Sequence, residues 1–203
     1  MRIVYIHGAT ATERTFAFIQ KNINAKNPIY LNYNSKDATA KENLDFLKET
    51  LREQMRPNDK LFYIMHSLGG IYGIYLQEEF AYNSSFAVSL ATPFNGSEVA
   101  NWGRWIAPQY QLFADIVPNS RFINSRFIAE SRKIKIVIPW KQVITTTGDV
   151  PLIAGKNDGV VTMESMMSRD DVDYYAIDRN HYEIVQSKRT VSLISDCLKG
   201  IRK

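Results

Sequence analysis

Apolar positions fall into short runs and helical stripes that alternate along the chain. Arg2 to His7 is a strand-like run that ends at Gly8. A helix is predicted from about Thr12 to Asn24, with Glu13 near its start. Ile29 to Tyr33 reads as a second short strand. Between Ala38 and Met55, Leu44, Leu47 and Leu51 recur at helical spacing, and Pro57 closes the segment. Leu61 to Met65 is a continuous apolar run, the pattern of a strand buried on both faces. Leu68 to Phe80 reads as a helix and Phe86 to Leu90 as a strand. This alternation predicts an α/β fold, with a mostly parallel sheet and helices on both faces. Functional groups in such sheets gather at the carboxyl ends of the strands.

The pattern blurs from Ala91 to about Ser131, where turn residues mix with many aromatics, including Trp102 and Trp105. We read residues 94–131 as a lid-like insertion. Its aromatics either bind an acyl chain or pack a small core of their own. Strand character returns at Lys133 to Ile138, at Val150 to Ala154 and at Asp173 to Ile177. Thr190 to Lys199 is the last predicted helix. The 203 residues suit one domain spanning 1–203.

Composition excludes more than it identifies. A hydrophobic share of 45% and a charged share of 23% are those of a soluble globular chain. The net charge of +4 is spread among acidic residues rather than gathered in a stripe, so no nucleic-acid partner is expected. The basic balance is compatible with transient contact with anionic membrane surfaces. The lone Cys197 excludes an intrachain disulfide and reads as a small core residue. No signal-like segment and no membrane-length apolar run is present, so a cytoplasmic location is expected, with signal-less export still open. The oligomeric state is not legible.

Candidate chemistry centres on Met65-His66-Ser67-Leu68-Gly69-Gly70. A serine hydroxyl attacks only when a base takes its proton and a sharp strand-to-helix turn presents it. Ser67 lies at such a junction. A helix-capping serine is the competing role. Met65 stands where the usual G-x-S-x-G pattern has its first glycine, which leaves open how the turn makes room for it. Of the three histidines, His7 and His66 read as structural or orienting. His181 follows the last strand in an exposed loop and suits a general base. The carboxylate that holds it is expected at Asp158, placed after the strand predicted at Val150 to Ala154. Asp149 would then lie at the wrong end of the sheet, and Asp178 is the competitor. Backbone N–H groups of Ala9 and Leu68 are the expected oxyanion donors.

These segments carry a resemblance. His7-Gly8, His66-Ser67-Leu68-Gly69-Gly70, Ala91-Thr92-Pro93-Phe94-Asn95-Gly96-Ser97, and Asn157-Asp158-Gly159-Val160-Val161 with Asn180-His181 occur in order along the chain. The sequence resembles the lipase/esterase branch of the α/β-hydrolase superfamily, near the bacterial triacylglycerol lipases and GPI-inositol-deacylase-like proteins. The resemblance implies Ser67, Asp158 and His181 as a triad, with Ala9 and Leu68 as oxyanion donors. Some relatives carry a disulfide or a calcium ion. Here Glu183 beside Asp178 is a lone acidic candidate, so no metal and no cofactor is expected. The implied activity is hydrolysis of small-molecule or lipid esters, of lipid-like or medium-chain type. A thioesterase, acyltransferase or phospholipase with the same triad, or a non-catalytic binding module on this fold, are the alternatives.

Overall fold

The computed structural model describes residues 1–97, 126–151 and 153–201. Six strands form one sheet: β1 (Arg2–Ile6), β2 (Ile29–Leu31), β3 (Leu61–His66), β4 (Ser84–Leu90), β5 (Trp140–Thr145) and β6 (Asp173–Ile177). Their order across the sheet is β2-β1-β3-β4-β5-β6, and every pair is parallel. All carboxyl ends therefore face one edge.

Helices α1 (Ala17–Asn22), α2 (Ala40–Gln54), α3 (Leu68–Glu79), α4 (Arg126–Ser131), α5 (Met163–Met166) and α6 (Lys188–Ile201) surround the sheet. Alternation along the strands sends side chains to opposite faces. Val4, Ile6, Leu61, Tyr63 and Met65 pack with Leu44, Leu47 and Leu51 of α2 and with Ile71, Ile74 and Leu76 of α3. Ile3, Tyr5, Phe62 and Ile64 pack on the other face with Ile19 of α1 and Ile194, Cys197 and Leu198 of α6. β3 is buried along its whole length, as its apolar run predicted. α2 starts on a reciprocal cap: Thr39 accepts from Glu42 N–H, and the Glu42 carboxylate accepts from Thr39 N–H. Cys197 lies in the second core, and burial pushes its thiol pKa up.

Two predicted strands are corrected. Lys133 to Ile138 is irregular, and the fifth strand is Trp140–Thr145. The first amides of the irregular segment, those of Lys133 and Ile134, bond back to Glu130 O and Ser131 O, and side chains rather than a ladder bind the backbone that follows. Arg169 donates to Ile134 O, Gln77 donates to Lys135 O and accepts from Val137 N–H, and Asp171 accepts from Ile136 N–H. The strand expected at Val150 to Ala154 is not found among the described residues there, where Ile153 N–H bonds back to Val150 O at 3.0 Å. Pro151 has no N–H to give a ladder, and Asn157 takes the polar groups of Val150. The predicted first helix opens as a 3₁₀ turn at Glu13–Phe16 before α1. The insertion expected at 94–131 lies outside the described residues from 98 to 125. No helix among the described residues is long and apolar enough to cross a membrane.

Candidate active site

β3 delivers its last residue, His66, directly into Ser67, and α3 begins at Leu68. Ser67 turns the chain with φ +52° and ψ −124°. A non-glycine residue held this way costs of order 1–3 kcal/mol, which surrounding bonds must hold. Ser67 N–H donates to Leu90 O at 2.8 Å, and Gly70 N–H donates to Ser67 O at 3.0 Å. The helix start also runs hard against the end of β1. A Cβ at Gly69 would sit 2.2 Å from Ile6 O, so only glycine fits there. Ser67 itself is partly exposed.

Met65 does not open the turn. Its Sδ lies 2.0 Å from where a Cβ of Gly73 would be. The thioether therefore occupies the space that Gly73 leaves on α3, below the turn rather than beside Ser67.

Asp158 and His181 meet at the same edge. His181 Nδ1 is 2.8 Å from Asp158 Oδ2, and both residues are nearly inaccessible, at 3% and 2% exposure. Asp158 Oδ2 also accepts the Thr145 hydroxyl. Its other oxygen accepts Val160 N–H at 3.0 Å and Val161 N–H at 2.7 Å. Burial opposes ionisation of this carboxyl, but the bonds from His181, Thr145 and Val161 outweigh it, and its pKa falls below the usual carboxylate value. With Nδ1–H given to Asp158, the neutral ring keeps Nε2 as a proton acceptor. The main chain repeats the link, since His181 N–H donates to Asp158 O at 3.1 Å.

Asp158 thus lies beside His181, though not for the reason expected. It follows β5 in the long connection of residues 146–162, and Asp149 lies in the same connection. Asp149 accepts the N–H of Asn157 at 2.8 Å. Asp178 is exposed and accepts the Thr146 hydroxyl at 3.2 Å.

The loop after β1 is held by His7. Its Nδ1–H donates to Gly8 O at 2.8 Å, and its Nε2 accepts from Tyr33 N–H at 3.4 Å. Gly8 C=O and Ala9 N–H belong to one trans peptide and point in opposite directions. Holding the carbonyl on the His7 side turns the Ala9 N–H to the other side. Thr10, at φ +57°, is anchored by its N–H to Ser35 Oγ at 2.9 Å. Leu68 opens α3, where the first amides lack helical partners.

Solved structures follow the same chain path. The mature form of lipase BlEst2 from Bacillus licheniformis has a TM-score of 0.74 at 17% identity, over 97% of this chain and 91% of that one. The metagenomic carboxyl esterase MGS0156 has a TM-score of 0.72 at 14% identity, over 100% and 75%. Phospholipase PlaB from Legionella pneumophila has a TM-score of 0.72 at 14% identity over 98% of this chain, which spans only 59% of that protein. The fold is that of an α/β-hydrolase. No family model and no curated protein matches the sequence.

Around the Asp158–His181 pair, two supporting residues, Thr145 and Asn157, escaped the sequence, and a third, His66, was seen without its partner. Thr145 was hidden because the strand carrying it was missed. Asn157 lay in view in the Asn157-Asp158-Gly159 segment. Its side chain accepts from Val150 N–H and Gly159 N–H, both at 3.0 Å, and lies 3.0 Å from Gly155 O. His66 was expected to orient neighbours, but not which ones. Its Nε2–H donates to the backbone O of His181 at 2.9 Å. Among the described residues, no group of three His, Cys, Asp or Glu is placed to hold a metal ion.

Proposed function

We propose that this protein is a serine hydrolase of carboxylic esters, with Ser67 as nucleophile, His181 as base and Asp158 as its carboxylate partner. The observation that carries the reading is the buried Asp158–His181 pair at 2.8 Å, tied to His66, the residue before a strained, partly exposed serine. A serine that only caps a helix would need neither the strained turn nor the pair. In the reaction, Ser67 Oγ attacks the ester carbonyl carbon and its proton passes to His181 Nε2. The tetrahedral oxyanion takes hydrogen bonds from Ala9 and Leu68 N–H. The carbon–oxygen bond to the alcohol breaks, and the alcohol leaves with the proton held by His181. Water, deprotonated by the same ring, then attacks the acyl-enzyme and frees the acid and Ser67. Asp158 stabilises the imidazolium in both halves.

The substrate proposed is a lipid-like or medium-chain ester. Support comes from similar folds named lipase, phospholipase and carboxyl esterase. A fluorophosphonate probe should label the wild type and not Ser67→Ala. Absence of labelling on folded wild type would instead favour a binding module. Asp158→Asn should lower kcat by about 10⁴-fold, while Asp178→Asn stays within about tenfold of wild type. The reverse ranking would reassign the acid. Across p-nitrophenyl esters of rising chain length, kcat/KM should rise beyond acetyl; a preference for acetyl would reject the lipid-like substrate.

A further inference from the structure

His66 sits at the junction of three parts of the site. It is the residue before Ser67 on the chain. Its Nε2–H donates to the carbonyl of His181 at 2.9 Å, and the two rings lie 4.9 Å apart. Its Nδ1 faces the loop after β1, where a Cβ placed on Gly8 would come within 3.2 Å of it and within 3.0 Å of Ser67 Cβ. His66 is 5% exposed, and its Nδ1 has no hydrogen-bond partner among the described residues.

This arrangement asks for explanation, because a buried ring nitrogen without a partner is costly and an apolar side chain would fill the same space without it. The compensation lies on the other nitrogen. A carbonyl only accepts, so Nε2 must carry the proton and Nδ1 must be bare. The bare nitrogen faces the side of Gly8 where a Cβ would stand, and glycine keeps that space beside both His66 and Ser67 free of a side chain. We infer that His66 is a positioning residue for the proposed reaction, fixing the reach from His181 to Ser67 and seating the Gly8-Ala9 loop beside them. The inference rests on the serine-hydrolase reading. His181 is pinned to the acid loop through its N–H and Nδ1, and both bonds hold it to Asp158. The bond from His66 ties it to the nucleophile strand. Without that bond the Asp158–His181 pair persists as a unit but no longer sits at a fixed distance from Ser67. A misplacement of about 1 Å can cost about 10²-fold in rate.

The test compares wild type with His66→Gln and His66→Leu. A glutamine amide nitrogen reaches the position of Nε2, whereas leucine donates nothing. Each protein is titrated with a fluorophosphonate, and kcat and KM for a p-nitrophenyl ester are expressed per reactive serine. A merely structural role lowers the number of reactive sites and the melting temperature but leaves kcat per site in place. The expected result for His66→Leu is a fall in kcat per site of about 10²-fold with KM within about twofold, and a matching fall in the labelling rate. His66→Gln should recover to within about tenfold of wild type by the same measure. Leucine at wild-type kcat per site overturns the inference. If His66→Leu does not fold, His66→Asn replaces it, because its amide nitrogen reaches only the Nδ1 position; equal activity of the Asn and Gln variants overturns the inference. Failure of wild type to label overturns the hydrolase reading before any variant is compared. Imidazole nitrogen shifts by NMR test the bond apart from activity: His66 should be neutral with its proton on Nε2, and a proton on Nδ1 refutes the arrangement.

Discussion

At the scale of single residues, the site sets a pH dependence with a definite sign. Burial, joined by the nearby His181, pushes the His66 pKa from 6.5 down to about 3. Burial also lowers the value for His7. In the unfolded chain both regain ordinary values. Between about 6.5 and about 3 the unfolded state therefore binds more protons, and stability is lost as pH falls through that window. One such group gives a slope of up to about 1.4 kcal/mol per pH unit. Asp158, whose folded pKa is depressed, adds stability above the ordinary 3.8 that disappears only as pH falls through its lower folded value. Its loss therefore comes later in the same acidification. Denaturant unfolding across pH should show the decline beginning below about 6.5, and His66→Gln should flatten it. An unchanged slope would mean that His66 is not held neutral in the folded protein. Ser67 and His181 stood out as candidates because each lies in a short segment with strong local chemistry. The bond from His66 to His181 was not, since it joins residues far apart in sequence.

At the scale of elements, β3 and α3 show where the side chain that replaces the missing glycine is packed. Met65 and Gly73 form one packing unit: a large side chain on the strand and an empty position on the helix facing it. Gly73→Ala would drive its methyl into Met65 Sδ, and overpacking of this kind costs about 1–3 kcal/mol, more than the helix propensity that alanine adds. Met65→Ala should cost about 2–5 kcal/mol through the cavity it leaves. The double variant should lose less than the sum, by about 0.5–3 kcal/mol, in chemical denaturation. Additive losses would show that the two residues do not share the space. Among the strands, β1 and β3 were legible from continuous apolar runs. β5 was not, because its core position Gln142 is polar: it accepts the Ser89 hydroxyl and donates to Thr92 O at 3.1 Å, a partnership that no linear pattern displays. The false strand at Lys133 to Ile138 has the opposite cause, a β-like pattern whose backbone bonds go to Gln77, Arg169 and Asp171.

At the scale of the whole molecule, strand order decides what the loops must do. β6 lies three strands from β3, a span of roughly 14 Å at about 4.8 Å per strand. In the proposed reaction His181, which follows β6, serves a serine that follows β3. The reach is made in two steps, from His181 to Asp158 after β5 and from His181 to His66 at the end of β3. Sequence order could show that these loops share an edge, but not how far the last one must lean across it. The connection bearing Asp158 must then be firm without being a strand. Asn157 gives it that firmness, by binding Val150 and Gly159 N–H and by lying against the carbonyls of Val150, Ile153 and Gly155. Asn157→Ala should therefore loosen this loop while the sheet stays closed. Losing two such bonds at about 1 kcal/mol each raises local opening by more than about tenfold. Hydrogen exchange should quicken at the amides of Val161, which bonds the Asp158 carboxylate, and His181, which bonds the Asp158 carbonyl, while those of β3 keep wild-type protection. Ester turnover should fall with the same substitution, since the carboxylate that orients His181 rides on that loop. Uniform acceleration across β3 and the loop would mean that Asn157 supports the fold as a whole, and that the acid loop and the sheet open as a single unit.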